Sequence, residues 1–460
     1  MKVRAGTLLR ILAPSQPNRA TRRNRLRTGN ALNSPHWSEI TRVAFRFGFT
    51  YSGLYCLTTP QIFLALRGGG LGHLQAAADS WAKLWSIRPV RNWVAVHVFD
   101  KEVGERFDGG DDLFTWVGQF CWLMGAAAVT PIWSVLDRRR TNYVTLDTWF
   151  RLAVRMCLAG QMFSYGAAKA IPLQFQLPLA KLIEPFGNFS PMGVLWSQTG
   201  SSKTYQILLG CAEIAGGLLL ILPRTATLGA LLCAVELTQV FILNMTFDVP
   251  VKIHSFHLLL LSLVLLAPES ARLAEVFLSN RTVHRSPRPE LFRTRRANRI
   301  AAAGQVAVGL WLLGSQIRND WAFWKEYGGG REKPALYGIW NVDEFSIDGV
   351  RNPPLTTDKQ RWRRVVIDSA DIVTIQRMDD SLDGHIAAID MNGHSITLLK
   401  MADPTWKATL TLQRPADDLL TLDGEVDGNL LHLRLHRLDL DTFPLVRRGF
   451  HWVQENAYMR

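Results

Sequence analysis

The chain has 460 residues, 48% of them apolar, and a formal net charge of +13. Its mean hydropathy of +0.03 is too low for a chain embedded throughout in a membrane, yet its apolar residues gather in long runs foreign to an ordinary water-soluble domain. The positive charge sits in Arg clusters at the ends of those runs, which argues against nucleic acid as the partner.

In chain order, the first forty residues are Arg-rich (Arg19, Arg22, Arg23, Arg25, Arg27) and lack the apolar stretch of a signal peptide. They read as a basic cytoplasmic tail over 1–42. A spanning helix needs roughly 17 to 25 mainly apolar residues. Seven candidates follow: Val43–Leu66, Leu113–Leu136, Phe150–Ile171, Thr204–Leu222, Ala226–Phe247, Val251–Ala267 and Ile300–Ile317. Residues 43–149 hold two of them with an outer loop, 150–268 a four-helix core, 269–299 a basic linker and 300–317 the last span.

The charges set the orientation. Asp137-Arg138-Arg139-Arg140, Arg224 and the series Arg272, Arg281, Arg285, Arg288, Arg293, Arg295, Arg296 and Arg299 all fall on the N-terminal tail's side if seven helices cross. The positive-inside rule then places the N-terminus in the cytoplasm, in a cell inner membrane. Opposite lie Arg67–Asp112, with Trp81, Trp85 and Trp93 and a predicted interfacial helix, then Pro172–Lys203, then the Asp248-Val249-Pro250 hairpin. The five cysteines all lie in apolar runs without a CxxC pair, as small buried hydrophobes do.

From about 334 to 460 the period changes to alternation. Strands are predicted at Trp362–Asp368, Ile372–Arg377, His385–Met391, Ser395–Lys400, Lys407–Leu412, Leu419–Leu422 and Leu430–His436. Asp383-Gly384, Asn392-Gly393 and Asp427-Gly428 are the turn signals. The expectation is an antiparallel meander closing into a barrel outside the cytoplasm. Tyr337-Gly338-Ile339-Trp340 resembles the Gly-x-Trp start of lipocalin-like barrels, with Arg447-Arg448 to pack on the Trp. Either a hollow barrel holding a small apolar ligand or a filled one fits this pattern.

Ionisable groups at membrane depth are costly and mark candidate sites. Glu213 falls mid-span, as do Glu236 and Gln239, three apart on one face. Tyr165, Lys169, Asn244, Asp248, Lys252, His254 and His257 cluster towards the outer ends of their helices. His and Tyr can hydrogen-bond a quinone carbonyl and relay protons, and the carboxylates can carry protons further in. The same groups also suit plain interhelical bonding, worth on the order of 0.6 kcal/mol each. His254-x-x-His257 has chelating spacing, but no matching Cys or His set accompanies it, so no metal is assigned.

Tyr165-Gly-Ala-Ala-Lys169, Ser190-Pro191-Met192-Gly193, Glu213-Ile-Ala-Gly216-Gly217, Pro223-Arg224-Thr225-Ala226-Thr227-Leu228-Gly229-Ala230 and Asp248-Val-Pro250-Val-Lys252 together resemble the DoxX-like membrane protein family over about 150–268. The resemblance implies a four-helix membrane core and, by association, a membrane subunit or partner in a quinone-linked redox process. Lys169, Glu213 and Gly217 match the family's motif positions. Two helices before the core, one after it and the β domain depart from the simple family pattern. The alternative is a non-enzymatic, membrane-anchored binding or assembly protein whose β domain engages a partner or apolar ligand.

Overall fold

A computed structural model describes residues 36–69, 80–81, 83–104, 110–278, 290–400, 403 and 405–459. The basic segment before residue 36, and Arg281, Arg285 and Arg288, lie outside the described residues.

The helical part begins with α1 (Glu39–Thr58) and α2 (Pro60–Leu66). One helix was expected over Val43–Leu66. The chain breaks at Thr59, whose backbone is extended because the ring of Pro60 disfavours the α region before it. Arg46, inside α1, is buried yet satisfied. Its guanidinium donates to Tyr143 Oη at 2.9 and 3.0 Å and to Ser134 Oγ at 2.8 Å. Within Arg67–Asp112, where an interfacial helix was expected, the chain forms α3 (Arg88–Phe99), which exposes Val90, Trp93, Val96 and Phe99. Arg91 lies 4.5 Å over the ring of Phe114 at the start of α4 (Leu113–Leu136), capped by Asp112.

α5 (Val144–Ala170) is the central helix and buries half its residues, including Leu158, Met162 and Phe163. Around it lie α6 (Pro191–Gly200), α7 (Lys203–Ile221), α8 (Ala226–Thr246), α9 (Lys252–Leu266), α10 (Ser270–Leu278) and α11 (Arg295–Glu326). α5 and α7 meet backbone to backbone. A Cβ on Gly210 would stand 2.3 Å from the nitrogen of Ala170, and one on Gly166 would stand 2.9 Å from the carbonyl of Gly210.

Among the described residues, five helical stretches are long and apolar enough to cross a membrane: Leu113–Leu136, Lys203–Ile221, Ala226–Thr246, Lys252–Leu278 and Arg295–Glu326. The first and third of the seven expected spans do not reach that mark. α1 is cut at Pro60. α5 carries Arg151, Arg155 and Lys169, and a helix wrapped by others can satisfy such groups inside the protein. Arg155 does so by donating to the carbonyls of Leu220 and Ile221 at 2.7 and 2.5 Å, neutralising the C-terminal end of α7.

The C-terminal part is a closed antiparallel barrel of eight strands. They are β1 (Gly338–Ile347), β3 (Trp362–Ile367), β4 (Ile372–Arg377), β5 (Leu382–Asp390), β6 (Ser395–Lys400), β7 (Lys407–Ala416), β8 (Leu419–Val426) and β9 (Asn429–Leu438), with a two-residue β2 (Val350–Arg351) folded back on β1. Each strand pairs with the next, and β1 pairs with β9 from Ile339↔Leu438 to Ile347↔Leu431. Inward side chains such as Phe345, Val365, Ile375, Leu398, Leu410, Leu422 and Leu433 form one packed cluster, as eight strands allow.

Two expectations change here, and one holds. Asp383-Gly384 is not a turn. It lies inside β5 opposite Ile375 and Thr374, and the turn is made by Asp379, whose Oδ1 accepts from Ser381 N at 3.1 Å. Asp427-Gly428 is a turn, with φ of 53° and 79°. Arg447 and Arg448 are exposed, with Arg448 over Tyr458, so neither is the barrel's internal arginine. That place belongs to Arg361, buried and donating to the carbonyls of Val342, Asn352 and Trp362. Trp340 is fully buried and donates from Nε1 to Leu336 O at 2.9 Å.

The two parts are joined by more than the chain. In the connection after α5, the turn Leu179–Leu182 presses on the outer face of the barrel, where Leu179 packs with Ile339 and Val366. Leu179 N donates to Asp368 Oδ2 at 3.1 Å, and Gln376 Nε2 donates to Ile183 O at 3.1 Å. Asp368 also pairs with Arg331 at 3.0 Å.

Candidate functional site

The expected polar cluster separates into three groups. The first joins α1, α5 and α9. Tyr55 Oη lies 2.7 Å from His254 Nδ1, and His254 Nε2 lies 3.0 Å from Gln161 Oε1. Gln161 Nε2 donates to the carbonyl of Gln61 at 2.7 Å, which fixes Oε1 as the acceptor. His254 therefore carries its proton on Nε2, and the Tyr55 hydroxyl donates to Nδ1. His257 has the opposite tautomer. Its Nδ1–H donates to Ile253 O at 2.7 Å, so Nε2 accepts from Tyr51 Oη at 2.7 Å. The Tyr55 ring stacks on that of His257, with centroids 4.2 Å apart. Every ring nitrogen of the two histidines is thus used, and both side chains are buried. Among the described residues no cluster of three or more His, Cys, Asp or Glu side chains is arranged to hold a metal ion.

The second group joins α5, α7 and α8. Lys169 Nζ donates to both oxygens of Glu213, at 2.8 and 2.9 Å, with both residues buried. Tyr165, one turn before Lys169, places its ring 5.4 Å from the ammonium. Gly216 follows Glu213 by three residues on the same face of α7. A Cβ there would lie 3.3 Å from Oε2 of Glu236 and 2.9 Å from Sγ of Cys233. Glu236 thus reaches α7 one turn further in than the ion pair. Both of its carboxyl oxygens are buried, and neither has a hydrogen-bond partner among the described residues. Gln239, expected beside it, is exposed.

The third group is the hairpin between α8 and α9, and it is a fastening. Asp111 accepts from the first two amides of α9, Lys252 N at 2.7 Å and Ile253 N at 2.9 Å. Lys252 Nζ donates to Asp248 Oδ1 at 2.9 Å. Asn244 Nδ2 donates to Ser255 Oγ at 3.0 Å. Asp248, Lys252 and Asn244 therefore hold the hairpin rather than join the two deeper groups.

Tyr51, Tyr55, Gln161 and Asp111 were not anticipated. Two signals were present in the sequence: Tyr51 and Tyr55 are four apart on α1, and Gln161, Tyr165 and Lys169 continue one stripe of α5 at that spacing.

No family model matches the chain, and no solved structure matches it. Over 123 residues it is 30% identical to the uncharacterized protein YwoB of Bacillus subtilis (strain 168), an alignment that covers 27% of this chain and 79% of that protein.

Proposed function

This chain belongs to the same family as YwoB of Bacillus subtilis, and from that premise we propose that it is a DoxX-like multi-pass membrane protein that handles protons for a quinone-linked redox partner. The observation that carries the proposal is Glu236, a carboxyl with no hydrogen-bond partner among the described residues, beside the buried Lys169–Glu213 pair. Leaving a charged carboxylate unpaired at such depth costs several kcal/mol, so the group persists where its proton is exchanged as part of the work. Lys169 and Glu213 offset each other's charge and fix the local field in which Glu236 gains and loses that proton. Reduction of a quinone to a quinol takes two electrons and two protons. The electrons come from a partner protein, and Glu236 passes protons.

In this reading seven helices cross the inner membrane. α1 with α2, and α5, are the two whose polar groups are satisfied inside the bundle. The Arg clusters at 137–140, at 224 and ahead of α11 mark the cytoplasmic side, and the barrel lies opposite. The quinone link rests on the DoxX-like resemblance of 150–268, and the proton site on the geometry.

The second reading is a membrane-anchored assembly protein without redox work. It is favoured by the complete pairing of His254 and His257 and by the packed barrel interior, which leaves partners to meet the barrel's outer surface. One experiment separates the two. The protein is purified from native membranes in mild detergent, and bound small molecules and proteins are identified by mass spectrometry. A stoichiometric quinone or redox subunit supports the proton-handling role. A non-redox protein partner with bulk phospholipid alone overturns it in favour of assembly.

A further inference from the structure

The barrel's register decides which of its rims faces the helices. Eleven residues separate the end of α11 at Glu326 from the start of β1 at Gly338, and Ile339 opposite Leu438 puts the end of β9 beside the start of β1. Both chain ends of the barrel therefore leave from one rim. The far rim carries the β1–β2 turn and the Asp427-Gly428 turn, with Leu430 65% exposed.

The segment after β9 begins on the near rim. Leu440 and Phe443 pack into the cluster that holds Leu179 and Ile183 of the connection after α5, so its root is fastened close to the ends of the helices. Beyond that root the chain exposes large apolar side chains in series: Phe450 at 77%, Trp452 at 91%, Val453 at 75% and Met459 at 93%. Arg447 and Arg448 precede them, also exposed. The end of α11 carries Trp321 and Tyr327, both exposed, and aromatic residues of this kind mark the level of the headgroups.

We propose that residues 449–459 are an interfacial anchor. Phe450, Trp452 and Val453 enter the headgroup–acyl boundary of the leaflet into which α11 emerges, and Arg447 and Arg448 meet lipid phosphates. Water is a poor environment for so much clustered apolar surface, and an aromatic stretch flanked by arginines suits a bilayer interface. The occupant is the bilayer that the chain itself crosses, so the proposal rests on α11 spanning that bilayer. It adds a contact with the bilayer surface to the fastening that the barrel already has at Leu179 and Asp368.

The test places the photoreactive residue benzoylphenylalanine at one position at a time in the full chain, irradiates native membranes and identifies adducts by mass spectrometry. Trp452→benzoylphenylalanine is expected to capture phospholipid, and Leu430→benzoylphenylalanine on the far rim is not. Trp311→benzoylphenylalanine, on the exposed middle of α11, reports the span itself. Lipid captured at 311 while the 452 probe captures the chain's own barrel, another protein or nothing overturns the anchor alone. Absence of lipid at 311 overturns the membrane placement and the anchor together. Replacing Arg447 and Arg448 with Ser is expected to lower the 452 lipid adduct by about fivefold or more, and an unchanged yield removes the phosphate contact.

Discussion

The hydroxyl of Tyr55 stands 2.7 Å from Nδ1 of His254, across the interface between α1 and the α9 helix nearly two hundred residues later. Because Gln161 fixes the tautomer of that ring, the hydroxyl is the one donor its Nδ1 has among the described residues. Tyr55→Phe therefore leaves a buried acceptor unpaired and is expected to cost about 1–3 kcal/mol. His254→Leu combined with Tyr55→Phe should cost less than the sum of the two singles. Thermal unfolding of the four proteins in one detergent measures this cycle, and strict additivity would contradict the contact.

The Lys169–Glu213 pair makes a sharper statement. Removing one partner strands the other charge, so Lys169→Met or Glu213→Gln should each destabilise by about 3–5 kcal/mol, whereas the double replacement Lys169→Met with Glu213→Leu should recover most of the loss. The yield of folded protein by size-exclusion chromatography is the first readout. If the double variant is as poor as the singles, packing rather than charge governs the site.

Gly210 carries no cost of that kind but allows no volume. A Cβ there would stand 2.3 Å from a backbone nitrogen of α5, which cannot swing aside. Gly210→Val is expected to force α5 and α7 apart and lower stability by at least about 3 kcal/mol. Gly304→Val, at a glycine with open space around it, is the matched control.

The barrel should respond to acid through His385. Burial holds this ring below the usual histidine range, ahead of the opposing hydrogen bond to Asp383 O. A histidine depressed in the folded state favours the neutral form there, so the unfolded chain binds the extra proton. Its contribution is fully present above the unfolded value near 6.5 and is lost as the pH falls through the depressed folded value. Full-length protein should lose melting temperature between pH 7.5 and 5, and His385→Gln should flatten that slope.

Asp368 ties the connection after α5 to the barrel. Asp368→Ala removes the acceptor of Leu179 N and the partner of Arg331 together. Faster hydrogen exchange is expected across 179–183, with the barrel strands unchanged. Equal exchange would mean that the apolar contact of Leu179 with Ile339 and Val366 suffices alone.

Much of the architecture could be read from the amino acids, for reasons that differ by element. α4, α7, α8, α9 and α11 announced themselves because each shows a large apolar surface to its surroundings, and composition alone records that. The strands of the barrel followed from alternation, since inward and outward faces differ so sharply. The Asp383-Gly384 turn failed because pairing with β4 sets the register, and that partner overrode a local dipeptide preference.

The site was legible in part. Lys169, Glu213 and Glu236 were marked by charge in apolar runs and do lie together on neighbouring helices. His254 and His257 were found, but their partners Tyr51, Tyr55 and Gln161 were not. Aromatic and amide residues inside an apolar stretch carry no charge to betray them, and a contact about two hundred residues distant in the chain leaves no periodic trace. The separation of Asp248, Lys252 and Asn244 from the deeper groups needed the helix N-terminus that Asp111 caps.

The docking of Leu179 and Ile183 on the barrel also sets an order of events during synthesis. The surface they need is completed only when Leu438 closes β9 against β1, roughly 250 residues later in the chain. Until then the turn after α5 has helices on either side and no partner of its own. The helical bundle can assemble as its helices are made, but the clasp forms only after the barrel has been delivered and folded. A chain cut short anywhere inside the barrel would keep its helices and lose the clasp, so the closed barrel reports on whether its own strands have all been made.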